Sequence, residues 1–271
     1  MYYPYLRAKQ YELKSLREFA VEHKGQNKII PIFEPVKQQT NALVLAINDF
    51  IQEGLRFALI LNPKEGDYKH TNVKFDLWLN NENIDDTIAW DLIKDSSVDY
   101  VVNAFGTSVS RRLKSQLKAV VQNVIRLDDC FKSKVRNADY ANETDELFSE
   151  EPFFYELEGQ FNGYSDFTTL PSEYVEGGML PYALAIHLSY KRNEEQIYVH
   201  HFVSDSNETN NDVKNKFREA AQKVEPFYIN RPKTSAVEEL ILKANDSNGY
   251  PGLGYLKKLS IKNHLELILS L

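Results

Sequence analysis

Cysteine is nearly absent from this 271-residue chain. Cys130 is the only one, so no internal disulfide can staple the fold, and a reducing compartment, the cytoplasm, is expected. No stretch approaches the ~18 apolar residues of a membrane-spanning helix. The opening MYYPYLRAKQ also lacks the apolar run of a secretory signal. A basic excess is missing too. The net charge of −7 argues against a broad non-specific nucleic-acid surface, although it leaves room for a small basic groove. Internal repeats, low-complexity linkers and any standard catalytic signature are likewise lacking, so one domain spanning 1–271 is expected. What remains is an ordinary globular composition, 42% hydrophobic and 26% charged, in a chain long enough to bury a full core.

Hydrophobic periodicity organises the first half as alternating strands and helices. Residues 9–22 carry Leu13, Leu16, Phe19 and Ala20 at helical spacing, and Gly25 follows as a stop. The run 28–36, KIIPIFEPV, reads as a buried strand, although Pro31 and Pro35 fit a central strand badly. Residues 41–52 predict a second helix and 57–62 a second strand. Helices are predicted over 75–80, 84–94 and 108–122, and strands over 98–105 and 124–127. Strands that are apolar throughout, alternating with helices, indicate a parallel α/β architecture. The segment 132–151 is polar and reads as loop. Helices are expected again over 212–224, over 234–244 with Thr234 or Ser235 as N-cap, and over 260–271 capped by Ser260.

The richest stretch is 163–205. Two β-rich runs, 182–191 and 196–203, flank the charged turn Arg192-Asn193-Glu194-Glu195 and predict an antiparallel hairpin. Three of the six histidines, His187, His200 and His201, lie in it, close to Asp166, Glu173, Glu176 and Asp205. Neighbouring strand residues point to opposite faces, so only one of His200 and His201 can share a face with His187; the turn as drawn selects His200. His187 is then either a ligand for a divalent metal or a structural histidine tied to a neighbour.

Ligands of parallel α/β folds bind at the C-terminal ends of the strands. That rule singles out Glu34, Asn62, Asn103, Asp128 and Asp129, each after an apolar run; the plain alternative is that polar residues begin where strands end. Asn62-Pro63-Lys64-Glu65-Gly66-Asp67 is a compact loop in which Lys64 is either a point charge for a phosphate or part of a charged turn. The loop lacks the glycine spacing and the Lys-Ser/Thr ending of a nucleotide-binding P-loop. Sixteen tyrosines and fifteen phenylalanines, without a matching basic stripe, read as core and rim.

Several motifs carry a resemblance. They are Tyr3-Pro4-Tyr5-Leu6-Arg7 with Lys9-Gln10 and Glu12-Leu13, Ile30-Pro31-Ile32-Phe33-Glu34-Pro35-Val36, and Asn62-Pro63 with Gly66-Asp67. Further along come Arg136-Asn137-Ala138-Asp139-Tyr140, Asp166-Phe167 with Glu173-Tyr174, and His201-Phe202-Val203-Ser204-Asp205. Pro251-Gly252-Leu253-Gly254-Tyr255 completes the set. Together they resemble the bacterial Beta-protein-like families named after a phage Beta protein. The resemblance implies a TIM-barrel-like fold, here about one strand–helix unit short and therefore incomplete or distorted; the hairpin read from the β-rich runs is then an insertion in its second half. It also implies a mobile-element-linked setting, phage defence or a related module, beside a nuclease-like companion protein. Two function classes follow. In the first, a divalent metal assists chemistry on a phosphate-bearing substrate, with Glu34, Asp166 and His187 catalytic and Arg7, Lys9, Asn62, Lys64, Arg136 and Glu173 binding. In the second, the protein is a non-catalytic module that recognises a ligand or a protein partner.

Overall fold

The computed structural model describes residues 1–60, 63, 65–69, 78–79, 82–83, 125–157, 163–178 and 180–271. In chain order the described strands and α-helices begin with β1 (Tyr5–Leu6), α1 (Gln10–Glu22), β2 (Ile32–Phe33), α2 (Asn41–Gln52) and β3 (Ala58–Leu59). Next come β4 (Trp78–Leu79), β5 (Glu82–Asn83), β6 (Ile125–Asp128), β7 (Asp145–Ser149), α3 (Glu151–Phe154) and β8 (Gly163–Asp166). The series closes with β9 (Ala185–Asn193), β10 (Gln196–Val203), α4 (Val213–Ala221), α5 (Val224–Phe227), α6 (Ser235–Asn245) and α7 (Leu253–Leu269). Contacts divide the chain into two compact units. Unit 1 comprises Met1–Cys130 and Glu151–Thr168; unit 2 comprises Phe131–Glu150 and Thr169–Leu271.

Unit 1 is built on short parallel strands in the order β1-β2-β3, with Tyr5 opposite Ile32 and Ile32 opposite Ala58. A second parallel pair, β6–β8, is tied to the same strand system by single bridges from Tyr2 to Ile29 and to Tyr164. The prolines explain why β2 is so short. Pro31 and Pro35 have no N–H to donate, so the ladder is clipped to Ile32–Phe33. Over these strands lie the apolar stripes of two helices, Leu13, Leu16, Phe19 and Ala20 from α1 and Leu43, Ala46, Ile47 and Phe50 from α2. Phe33 meets Phe50 and Phe57 edge to face at 5.7 and 5.8 Å, a geometry favoured by the ring quadrupoles. Gly66 stands where only glycine fits: its φ is +62°, and a Cβ there would lie 2.1 Å from the Val36 carbonyl oxygen.

Unit 2 is organised differently. Its sheet is antiparallel, in the order β7-β10-β9, with strands of five to nine residues. One face packs Leu184, Ile186, Leu188 and Phe202 against Phe217, Val224, Val237, Leu240 and Leu259 from the helices. Helix starts are specified by side chains: the Asp212 carboxylate accepts from Asn215 N–H, and the Thr234 hydroxyl accepts from Val237 N–H at 3.2 Å.

The TIM-barrel-like expectation is overturned. The described strands make a three-stranded parallel sheet, a three-stranded antiparallel sheet and two two-stranded pairs, and no closed barrel forms among the described residues. A barrel needs parallel strand–helix units around the whole ring, whereas the second half of this chain folds as an antiparallel sheet followed by consecutive helices. Other corrections are local. The polar segment 132–151 contains strand β7, and Trp78–Leu79 pairs with β5 instead of continuing a helix over 75–80. The last helix begins at Leu253, after Gly252, so Ser260 lies inside it and does not cap it. The expected helices 84–94 and 108–122 and strand 98–105 lie outside the described residues, as do Asn62, Lys64 and Asn103. No helix among the described residues is long and apolar enough to cross a membrane.

Candidate functional site

In unit 2, two adjacent strands bear matched pairs of residues. Asp145-Glu146 on β7 faces His200-His201 on β10, with Asp145 directly opposite His200. Because successive side chains alternate across a sheet, each acid takes one histidine on its own face. Asp145 Oδ1 accepts from Tyr190 Oη–H at 2.8 Å and lies 2.9 Å from His200 Nδ1. The His200 ring rests on Phe227, centroids 4.1 Å apart. Burial raises the Asp145 carboxyl, yet the bonds from His200 and Tyr190 outweigh it and hold it below its ordinary value.

The other face carries a longer chain of groups. Lys134 Nζ forms an ion pair with Glu146 Oε1, Glu146 Oε2 lies 3.3 Å from His201 Nε2, and His201 Nδ1 lies 2.7 Å from His187 Nδ1. Glu146 and His201 are only 4% and 1% exposed. His201 pairs directly across the ladder with His187, and His200 sits opposite Leu188. This corrects the expected pairing of His187 with His200. The strands continue to Asn193 and turn over Glu194-Glu195, and a bulge between Gln196 and Ile197 resets the register.

Tyr140 and Phe131 hold the two imidazoles from the side. The Tyr140 ring lies 4.7 Å from His187 and 4.5 Å from His201, and the Phe131 ring lies 5.0 Å from His187. Tyr140 belongs to a short 3₁₀ helix, Asn137–Asn142, and its hydroxyl accepts from Lys134 N–H at 3.1 Å. In this dry setting the charged imidazole is disfavoured. Burial, reinforced by the nearby His201, lowers the pKa of His187 to about 3. Burial also lowers that of His201, although Glu146 acts in the opposite direction. For Glu146 burial raises the pKa, but Lys134 and His201 prevail and keep it below the usual carboxylate range. At neutral pH the chain is therefore an ammonium, a carboxylate and two neutral imidazoles.

His187 opens onto a cavity of about 610 Å³ within unit 2. Phe131, Tyr140, Leu170, Pro171, Leu253 and Leu256 supply apolar walls, and Lys134, Asn137, Thr169, Glu173, Lys257 and Ser260 supply polar groups. Thr169 is 2% exposed, and its hydroxyl has no hydrogen-bond partner among the described residues. The edge of His187 that carries Nε2 likewise makes no hydrogen bond among the described residues, since its ring nitrogen contact is the one through Nδ1.

The structure sorts the remaining candidates by unit. Glu173 joins His187 on the cavity wall. Arg136, expected to clamp an anion, is exposed and is engaged by Asp139, with Nη2 donating to Oδ1 at 2.7 Å. Glu34 and Asp166 are buried in unit 1, each at the C-terminal end of its strand. Arg7 Nε lies 3.7 Å from Glu34, and its guanidinium lies over the Phe167 ring at 5.0 Å. Asp166 Oδ1 accepts from Tyr2 Oη–H at 2.6 Å and from Thr168 N–H at 2.7 Å. Lys9 occupies the N-cap position of α1. Within either unit taken alone, no three His, Cys, Asp or Glu side chains among the described residues bring ligand atoms together as a metal would require. Glu146, His201, Lys134 and Thr169 were not singled out as site residues from sequence; the signal available was the acid–acid pair Asp145-Glu146 matched to the adjacent histidines. Comparison with protein-family models, curated proteins and solved structures finds no match to this chain.

Proposed function

We propose that this protein is a recognition component whose unit 2 cavity receives a small polar ligand. The observation that carries this reading is the Lys134–Glu146–His201–His187 chain, which ends on the cavity with one imidazole nitrogen unpaired in its unit. A general base works best with a pKa near the working pH. With its pKa lowered to about 3, His187 is a poor proton abstractor, while its lone pair remains a good hydrogen-bond acceptor. Binding is therefore favoured over proton-transfer chemistry at this site. The resemblance to the Beta-protein-like families supports placing the module in a mobile-element-linked or phage-defence system, where an occupied cavity would inform a nuclease-like companion. Metal-assisted phosphate chemistry at Glu34 and Asp166 is the weaker reading, because both carboxylates are already engaged by Arg7 and by Tyr2 and Thr168.

A thermal-shift screen of the full chain against small heterocycles, carboxylic acids and nucleotides tests this. A ligand present at 100 times its Kd raises stability by about 2.7 kcal/mol. The shift should vanish in Ala185→Phe, which obstructs the cavity from its wall. Ligand shifts that survive Ala185→Phe, or no shift with any compound, would reject the cavity as the binding site.

A further inference from the structure

We infer that Glu146 is a positioning residue: acting through His201, it holds His187 as the Nδ1–H tautomer, so that the cavity takes a ligand that brings an N–H or O–H to His187 Nε2. This deepens the recognition reading above and rests on it. Lys134 keeps Glu146 ionised, and an ionised carboxylate can only accept. His201 must then carry its proton on Nε2, facing Glu146 Oε2 at 3.3 Å. The opposite tautomer would set a lone pair against a carboxylate oxygen in a dry site. A neutral imidazole has one N–H, so His201 Nδ1 is a lone pair. The 2.7 Å contact with His187 Nδ1 therefore requires the proton on His187, which leaves His187 Nε2 as a bare acceptor.

The surroundings hold both rings in this order. Tyr140 packs against His187 and His201, Phe131 closes on His187, and the His201 backbone N–H donates to the Thr144 carbonyl at 2.8 Å. His187 is half-buried, lines the cavity, and keeps accessible surface at Nε2, which is bonded to nothing among the described residues. A ligand can therefore reach that nitrogen directly. The requirement is for a donor, and it sets no sign of charge. A phenol or an azole N–H meets it, and the walls of Phe131, Tyr140, Leu170 and Leu256 suit such a flat, largely apolar body. An ammonium group meets it too, with the Glu173 carboxylate on the same cavity wall. An ether or ester oxygen at Nε2 would set two lone pairs against each other.

Nitrogen NMR of the full chain, labelled at histidine and recorded at neutral pH, reads the proton order without any ligand. His187 should show a protonated Nδ1 and a bare Nε2, and His201 the reverse. Glu146→Leu removes the acceptor that sets this order and should place the His187 proton on Nε2, in part or in full. A wild-type His187 protonated at Nε2 would overturn the proposal even if Glu146→Leu does not fold. A Glu146→Leu spectrum with the order unchanged would overturn the positioning role of Glu146. The donor requirement is read with two probes. Phenol should move the His187 Nε2 signal. Anisole, which lacks the donor, should leave it in place and bind at least about tenfold more weakly, the equivalent of ~1.4 kcal/mol. An equal response to both probes, or to neither, would overturn the donor requirement. Each of these failures leaves the recognition reading standing, because that reading falls only with the thermal-shift screen.

Discussion

The two units bury their charged groups in different ways. In unit 1 three of the buried acids, Glu34, Asp128 and Asp166, lie at the ends of short parallel strands, and Glu34 and Asp166 are met by groups of strand or loop neighbours such as Arg7, Tyr2 and Thr168. In unit 2 Asp145 and Glu146 sit within a strand and meet histidines of the next one, with Lys134 balancing the charge of Glu146. The difference follows from strand direction and length. Parallel strands of two to four residues offer few cross-strand pairs, so polar groups accumulate at their ends. A five-residue antiparallel strand presents consecutive residues to both faces of a directly opposed partner. Unit 2 thus lines up donors and acceptors in series, and unit 1 satisfies its acids one by one.

Substitutions can break this comparison at several strengths. The largest effect is expected from truncating the cores: Phe33→Ala in unit 1 and Leu240→Ala in unit 2 should each cost about 3–5 kcal/mol, since both side chains are fully buried. Chemical denaturation reads the total, and hydrogen exchange should show the lost protection in β1–β3 for the first and in β9–β10 for the second. A result near zero for either would mean the site collapses without a cavity.

Glu146→Ala should follow at about 2–3 kcal/mol, less than the 3–5 of a fully buried pair. Lys134 retains partial contact with water and a second partner in Glu143 at 3.4 Å. Asp166→Asn in unit 1 keeps an acceptor for Tyr2 and Thr168 and should cost less than Glu146→Ala; the reverse order would contradict the distinction drawn here.

Acid sensitivity sharpens the comparison next. The folded pKa of His187 lies near 3, below the ~6.5 of an unfolded histidine, so between those values the unfolded chain binds the extra proton. Stability from this group is fully present above pH 6.5 and is lost as pH falls, by at most about 1.4 kcal/mol per pH unit. His201 and His200, both lowered, act in the same direction. Urea melts between pH 7 and 5 should show the decline, and His187→Leu should flatten it. The window is chosen above the range where carboxylates such as Glu146 begin to protonate.

The smallest effect belongs to a helix cap. Thr234→Ala removes the acceptor for Val237 N–H and should lower stability by about 1 kcal/mol, with Thr234→Ser nearly neutral. Thermal melting of the three proteins is sufficient.

Much of this was legible in the sequence where one periodicity held without competition. Helix α2, the Thr234 cap and the hairpin all follow from apolar spacing and side-chain chemistry. Glu173 and His187 were placed among candidates, and they do share the cavity. The histidine register was not legible, because a two-residue turn with a bulge differs from a four-residue turn by a shift that exchanges His200 for His201. Strand β7 escaped notice because Asp145-Glu146 made the segment look like solvent-facing loop; their partners come from β9, β10 and Lys134, distant in sequence or unrecognised as neighbours. The barrel expectation failed because alternation in the first half was extended to a second half that pairs its strands antiparallel.

The head-to-head contact of His187 and His201 has a further consequence: it makes the site reversible in sign. Lys134 holds Oε1 of the acid, so in Glu146→Gln the amide oxygen would stay with the lysine and the amide NH₂ would turn to His201. Every proton along the line would then move to the opposite nitrogen, and His187 would present an N–H to the cavity where it had presented a lone pair. One isosteric substitution, remote from the ligand, would convert a reader of donors into a reader of acceptors.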